Sequence, residues 1–213
     1  MPLMIQSGDE EAEAAWTPPA GVKAWLSYYN SGPVGAGGTW ADAVGAYDMT
    51  LLDTSSVTSD GLVVVGAAGK GASRAAVGLL ADQWTLALWV KDTASGLGRW
   101  SWGSYAKYAS YRTAYGEYIK GGPHGTVYVT SGAWHHIVWQ YNGTVYRASR
   151  DGEAWVTLWT STSIGGDYTF YLGQEPTDGP MADARIDDVF IADSALSDAD
   201  ILSIRTLSPG KRG

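Results

Sequence analysis

Two histidines stand side by side in SGAWHHIVWQYNGTVYRASRDGEAW, residues 131–155, and a pair of imidazoles could bind a metal or relay a proton. Either task needs both rings to converge on one point. Successive side chains of an extended strand project to opposite faces, so His135 and His136 diverge and the pair reads as part of a strand. Asn142-Gly143 and, nine residues on, Asp151-Gly152 are favoured hairpin dipeptides because both residue types tolerate positive φ. The stretch therefore predicts three antiparallel strands, about Trp134 to Tyr141, Val145 to Arg150 and Ala154 to Trp159.

The third histidine, His124, lies in GGPHGT, which reads as a turn, so no histidine is placed beside a reactive hydroxyl. Glycoside hydrolysis needs two carboxyl groups about 5 to 9.5 Å apart. The six glutamates are Glu10, Glu11 and Glu13 near the N-terminus and the isolated Glu117, Glu153 and Glu175. None belongs to a Glu-x-Asp pair, and the adjacent Asp187 and Asp188 splay apart on a strand. The sequence thus predicts a protein that is not an enzyme, with a dyad assembled from distant segments as the alternative.

Residues 99–122, RWSWGSYAKYASYRTAYGEYIKGG, are the most unusual stretch. Trp100 and Trp102 share one strand face, and Tyr105, Tyr108, Tyr111, Tyr115 and Tyr118 follow at spacings of three and four that fit neither a strand nor a helix in an all-β chain. One use is a platform on which sugar C–H faces stack, which makes Trp100, Trp102, Tyr105, Tyr108 and Tyr111 candidate ligand-binding residues. The competing use is packing against a sheet of the domain or against a second protein subunit.

The elements that must position these residues are strands. QWTLALWV sets Trp84, Leu86, Leu88 and Val90 on one parity against Thr85, Ala87 and Trp89 on the other, and GLVVVGA, TVYVT, TFYLG and ARIDDVFI are further short apolar runs between glycine, aspartate and proline. About twelve strands with almost no helical periodicity predict an all-β sandwich or jelly roll. One helix is signalled, from about Asp198 to Ser203, with Ser197 as cap, two aspartates in the first turn and Leu196 stapled to Ile201. The predicted organisation is a flexible acidic arm at 1–20, one domain at 21–206 and a tail at 207–213.

A net charge of −8 with scattered basic residues argues against a nucleic-acid partner. With no cysteine, thiol catalysis, disulfides and thiolate metal sites are excluded. No basic and apolar leader opens the sequence, and the longest apolar stretch, VGLLADQWTLALWV, is interrupted by Asp82 and Gln83, so neither a signal peptide nor membrane insertion is expected.

GVKAWLSYY, TWADAVGAYDMTL, GLVVVGA, WTLALWVK, WHHIVWQYNGTVYRASRDG, FYLGQEP and ARIDDVFIADSALSDADI, in this order over about residues 21 to 205, resemble the laminin-G-like branch of the concanavalin A-like lectin/glucanase superfamily. The resemblance implies a concanavalin A-like jelly-roll sandwich of two antiparallel sheets with one short C-terminal helix. It also implies a structural Ca²⁺ held by Asp187, with Asp42 of WADAVG as a second ligand; the alternative is that Asp187 accepts hydrogen bonds from backbone amides. Small domains of this kind occur in bacteriophage tail and capsid-decoration proteins. The resemblance therefore implies a virion surface component without enzymatic activity, a capsid decoration or minor tail protein, tied to other virion proteins through the arm. A cell-surface glycan and further copies of the chain are the other candidate partners. The alternative is a secreted, extracellular lectin or carbohydrate-binding module of a polysaccharide-active system.

Overall fold

The computed structural model describes residues 16–45, 47–64, 71–75, 83–93, 99–104, 107–112, 130, 132–160, 170–173 and 183–208, with the backbone alone at 92, 99–104, 107–112 and 159. The described elements run β1 (Val22–Leu26), α1 (Tyr28–Ser31), β2 (Thr39–Trp40), β3 (Met49–Leu51), β4 (Ser56–Thr58), β5 (Gly61–Val64), β6 (Ala72–Arg74) and β7 (Trp84–Asp92) in the first part of the chain. They continue with β8 (Arg99–Ser104), β9 (Lys107–Arg112), β10 (Trp134–Tyr141), β11 (Val145–Arg150), β12 (Val156–Thr160), β13 (Phe170–Leu172), β14 (Ala184–Ala192) and α2 (Asp198–Leu207). The strand expected at 126–130 and the acidic part of the arm fall outside the described residues, apart from Thr130.

The strands form two antiparallel sheets, as the sequence predicts. The larger has the order β12-β11-β10-β7-β14-β5-β4, with β1 also on β14; the smaller has the order β2-β3-β6-β13-β8-β9. Their facing sides make one core, to which Leu86, Leu88, Ile137, Trp139 and Ile186 contribute from the larger sheet and Trp40, Met49, Leu51, Phe170 and Leu172 from the smaller. The predicted parity of β7 holds, because Trp84, Leu86, Leu88 and Val90 all lie in that core.

The other parity of the larger sheet is buried too. Ala87, Val138, Phe190 and Ala192 form a second apolar layer with Leu196, Ile201 and Ile204, so α2 covers the outer face of this sheet. The helix starts as predicted: the Ser197 hydroxyl accepts from the Asp200 N–H while the Asp200 carboxylate reaches back to the Ser197 N–H. It runs beyond Ser203 because Ile204 continues the apolar stripe against the sheet. Buried Gln140 pins the approach to the helix, donating to the Leu196 carbonyl at 2.8 Å and to the Thr85 hydroxyl at 3.2 Å.

Trp16, placed in the arm by the sequence, belongs to this cover. Its ring stands edge-on to Trp25 at 5.3 Å and to Phe190 at 5.7 Å, and its Nε1 donates to the Ser203 hydroxyl at 3.2 Å. The folded body thus begins at least five residues before the predicted boundary and ends no earlier than Ser208, which is fully buried.

Strand β14 changes partners in mid-course. It pairs with β5 over Ala184–Ile186 and with β1 over Val189–Ala192, and the register against β7 shifts between Asp187 and Phe190. This is a bulge, and Asp188 takes φ 51° to make it. Gly61 must be glycine where β5 meets this point, since a Cβ there would sit 2.4 Å from the Ile186 carbonyl oxygen at φ 79°.

Candidate functional site

Register assigns every position of the smaller sheet to a face, because residues directly opposite each other across an antiparallel ladder share a side. Leu51, Ala72, Leu172, Trp102 and Ala109 make one rung across β3, β6, β13, β8 and β9. Leu51, Ala72 and Leu172 are core residues, so this is the inner face. The neighbouring rung is Thr39, Thr50, Ser73, Tyr171, Gly103 and Tyr108, and it crosses all six strands. Thr39 and Thr50 are exposed and Ser73 and Tyr171 half-exposed, so this is the outer face.

The aromatic run is divided by this register. The sequence offered no regular element for the tyrosines, yet Tyr108 and Tyr111 lie on β9, paired to β8 from Arg99↔Arg112 to Ser104↔Lys107. Trp100, Trp102 and Tyr111 fall on the inner face, Trp100 directly opposite Tyr111, and Tyr108 falls on the outer face opposite Gly103. Tyr105 lies outside the described residues. The outer rung combines hydroxyls with two tyrosine positions separated by a glycine, and its Tyr171 and Ser73 members carried no sequence signal as site residues. Only strand pairing brings them beside Tyr108.

The histidine strand separates its rings as predicted. His136 is fully buried beside Trp89, ring centres 5.2 Å apart, with no hydrogen-bond partner for either ring nitrogen among the described residues. Burial, reinforced by the Arg205 charge and opposed by Asp151, lowers its pKa to about 3, so the ring is neutral at physiological pH. His135 is placed differently: its Nδ1 lies 2.7 Å from Asp151 Oδ2, and its Nε2 lies 3.1 Å from the Thr130 N–H nitrogen and 2.9 Å from the Thr130 hydroxyl. A backbone N–H only donates, so Nε2 is the acceptor and Nδ1 carries the proton given to Asp151. Hydroxyl, imidazole and carboxylate stand in a line here, but the base nitrogen is already engaged by a backbone amide, and the chain acts as a strap fastening Thr130 to the hairpin.

Asp151 reaches this position through the β10–β11 register, in which it stands opposite His136 and exchanges hydrogen bonds with its backbone at 2.8 Å in both directions. The sequence missed the contact because the turn is displaced by one residue. Only Gly143 has positive φ, Asn142 pairs with Val145, and Tyr141 stands opposite Tyr146. A loop centred on Asn142-Gly143 would have put Tyr141 opposite Thr144.

Of the two carboxylates that the resemblance assigns to calcium, that of Asp42 is taken up by backbone amides. Asp42 Oδ1 accepts from the Trp25 N–H at 2.7 Å and the Val44 N–H at 3.0 Å, and Oδ2 from the Gly45 N–H at 2.9 Å and the Tyr47 N–H at 3.1 Å. Four donors fill the lone-pair directions of one carboxylate and leave none for a cation. Asp187 is fully buried and accepts from the Tyr28 N–H at 3.0 Å; Asp188 accepts from Trp25 Nε1 at 2.5 Å and from the Ser208 hydroxyl. The two aspartates stitch the gap where β14 passes from β5 to β1. Among the described residues no group of three histidine, aspartate or glutamate side chains is arranged to hold a metal ion, and no helix is long and apolar enough to cross a membrane.

A laminin-G-like family model of the concanavalin A-like lectin/glucanases superfamily matches residues 66–202, more than half of the chain. No curated protein matches. Among solved structures, Trypanosoma rangeli sialidase is similar with a TM-score of 0.61 and 17% identity, over 90% of this chain and 34% of that one. The same sialidase in complex with sialic acid gives a TM-score of 0.64 and 17% identity, over 93% of this chain and 35% of that one. A SAP-like pentraxin from Limulus polyphemus matches with a TM-score of 0.48 and 15% identity, over 62% of this chain and 74% of that one. The chain therefore spans about a third of the length of the sialidase chains. The expectation that the chain is not an enzyme is corrected by these matches. The fold makes up part of glycosidase chains, so the missing Glu-x-Asp pair removes one strand-borne dyad without excluding enzymatic activity. None of these names is that of a virion component.

Proposed function

Because the chain belongs to the concanavalin A-like lectin/glucanases superfamily, we propose that it is a carbohydrate-recognition module of a glycan-processing protein, binding oligosaccharide across the outer face of its smaller sheet. The observation that carries this reading is the outer rung Thr39, Thr50, Ser73, Tyr171, Gly103 and Tyr108. Sugars have apolar C–H faces and a polar rim, so their recognition calls for aromatic rings to stack on and small hydroxyls to bond with. Two tyrosine positions with a glycine between them and hydroxyls along the same line supply both. Among the described residues the opposite sheet has no equivalent, since α2 and Trp16 cover its outer face.

Of the two settings predicted from the sequence, an extracellular polysaccharide-active system is favoured over a virion surface. The support is the likeness to about a third of each sialidase chain, the proportion expected of one module in a larger glycan-active protein. Glycan-array screening followed by titration calorimetry on the ligands retained tests the reading. Tyr171→Ala and Tyr108→Ala should each weaken binding by about 1.4 kcal/mol, tenfold in Kd, with the melting temperature unchanged. Undiminished binding in both variants would remove the outer rung as the site.

A further inference from the structure

Carbohydrate binding on the smaller sheet leaves one buried titratable group of the larger sheet unused, His136. It stands directly opposite Trp89 across β10 and β7, two residues along from the rung of Val138 and Ala87 that α2 covers, so both rings lie on the outer face at the end of the apolar layer. Neither ring nitrogen of His136 nor Trp89 Nε1 has a hydrogen-bond partner among the described residues. On α2, Arg205 follows the buried Ile201 by four residues and so shares the face that packs on the sheet. Its guanidinium lies against Gly152 and donates to the Asp151 carbonyl, while Asp151 in turn holds the His136 backbone. The last turns of α2 are thus tied to the hairpin at the point where the imidazole is buried.

We propose that His136 is an acid-operated latch: a proton on its ring drives Arg205 off the Asp151 carbonyl and lifts the last turns of α2 from the larger sheet, while the two sheets stay closed on each other. In the closed form an imidazolium has no acceptor among the described residues for its two N–H groups, and it stands near a guanidinium that never loses its charge. The Asp151 carboxylate opposes this only in part, because it is already held by His135 Nδ1 at 2.7 Å and by the His136 N–H at 2.8 Å. On β14, Asp187 accepts from the Tyr28 N–H, and Asp188 accepts from Trp25 Nε1 and the Ser208 hydroxyl. On β7, Lys91, two residues along from Trp89, adds a further positive charge. Lifting α2 lets water reach the ring, whose pKa then returns from about 3 toward 6.5, so the open form binds the proton that the closed form refuses. Opening is therefore rare above about pH 6.5 and grows about tenfold with each pH unit below it.

The experiment is backbone hydrogen exchange of the full chain, read by mass spectrometry between pH 7 and pH 4, with each rate divided by that of an unstructured peptide at the same pH. Peptides from the second half of α2 and from the turn at 151–153 should lose protection about tenfold per pH unit below about pH 6.5, while those from β7 and β14 keep theirs. His136→Phe and His136→Leu should each make the protection of α2 independent of pH. Arg205→Gln should leave α2 less protected at pH 7 and make the pH dependence shallower, since a tether and a charge are lost together. Equal losses in α2 and β7 of the parent would mean that the whole fold opens, and would overturn the latch. So would α2 protection that does not change with pH in the parent, or a pH dependence that survives in the His136 variants. An Arg205→Gln variant indistinguishable from the parent would overturn the part given to Arg205.

Discussion

On the outer face of the larger sheet Ala87, Val138, Phe190 and Ala192 are at most 1% exposed beneath α2 and the Trp16 ring, whereas the outer face of the smaller sheet presents Thr39, Thr50, Ser73 and Tyr171 to solvent. The difference begins in the strands. In β7 both parities are apolar, and a strand of that kind needs cover on both sides. In β3 the burial alternates, with Met49 and Leu51 inside and Thr50 outside, and a strand of that kind leaves one face free for water or a ligand. The covered face spends its aromatics on stability: Trp25 stacks on Phe190 at 5.5 Å, and the Arg147 guanidinium lies over the Trp155 ring at 4.0 Å. The open face holds its two tyrosine positions on one rung with hydroxyl residues. The comparison teaches that aromatic content alone does not locate a binding surface; face assignment does.

The largest expected effect tests that assignment directly. Trp102→Ala removes a large residue from the inner face and should cost about 3 to 5 kcal/mol in urea denaturation, while Tyr108→Ala, six residues on but on the outer face, should stay within about 0.5 kcal/mol. Equal losses would break the division of the aromatic run.

Acid should attack the covered face selectively. With a folded-state pKa near 3 against an ordinary 6.5, His136 binds fewer protons in the folded state than in the unfolded chain. Stability is therefore full above about pH 6.5 and falls as the pH drops from there toward 3, by about 1.4 kcal/mol per pH unit from this residue. Between pH 7 and pH 5 the parent should lose about 2 kcal/mol more than His136→Phe, measured by equilibrium urea unfolding. Parallel losses in the two proteins would mean that the ring protonates without leaving its place.

A smaller effect should separate two truncations. Removing residues 1–15 should leave stability unchanged, and removing 1–18 should cost about 1 to 2 kcal/mol, because only the second takes away the partly buried Trp16 ring. No difference between them would detach Trp16 from the cover of the larger sheet. The smallest effect is expected from chelation. EDTA should not shift the melting temperature, given that the Asp42 carboxylate already accepts four backbone amides. A drop that disappears in Asp187→Ala would return a cation to that residue.

Strands and their parities were legible in the sequence because they are local. The alternation of β7, the lengths of β10 and β11, and the Ser197 cap of α2 each depend on residues within a few positions of one another, and each was found where the pattern predicts it. The even spacing of Trp100 and Trp102 likewise fixed that they share a face, without saying which face that is. That was decided by Leu172, seventy residues on, which stands opposite Trp102 and is itself in the core. The same holds for the partners of the polar groups. The backbone amides of Trp25, Val44, Gly45 and Tyr47 that surround Asp42 come from residues up to seventeen positions away, and a one-residue displacement of the Gly143 turn hid Asp151 from His135. Residue type and periodicity are properties of a short segment, and they determined the fold class, the strands and the helix cap. Which strand lies beside which, and so which side chains share a rung, a core or a ligand face, depends on the closure of long loops around a common core, and only the tertiary structure decided it.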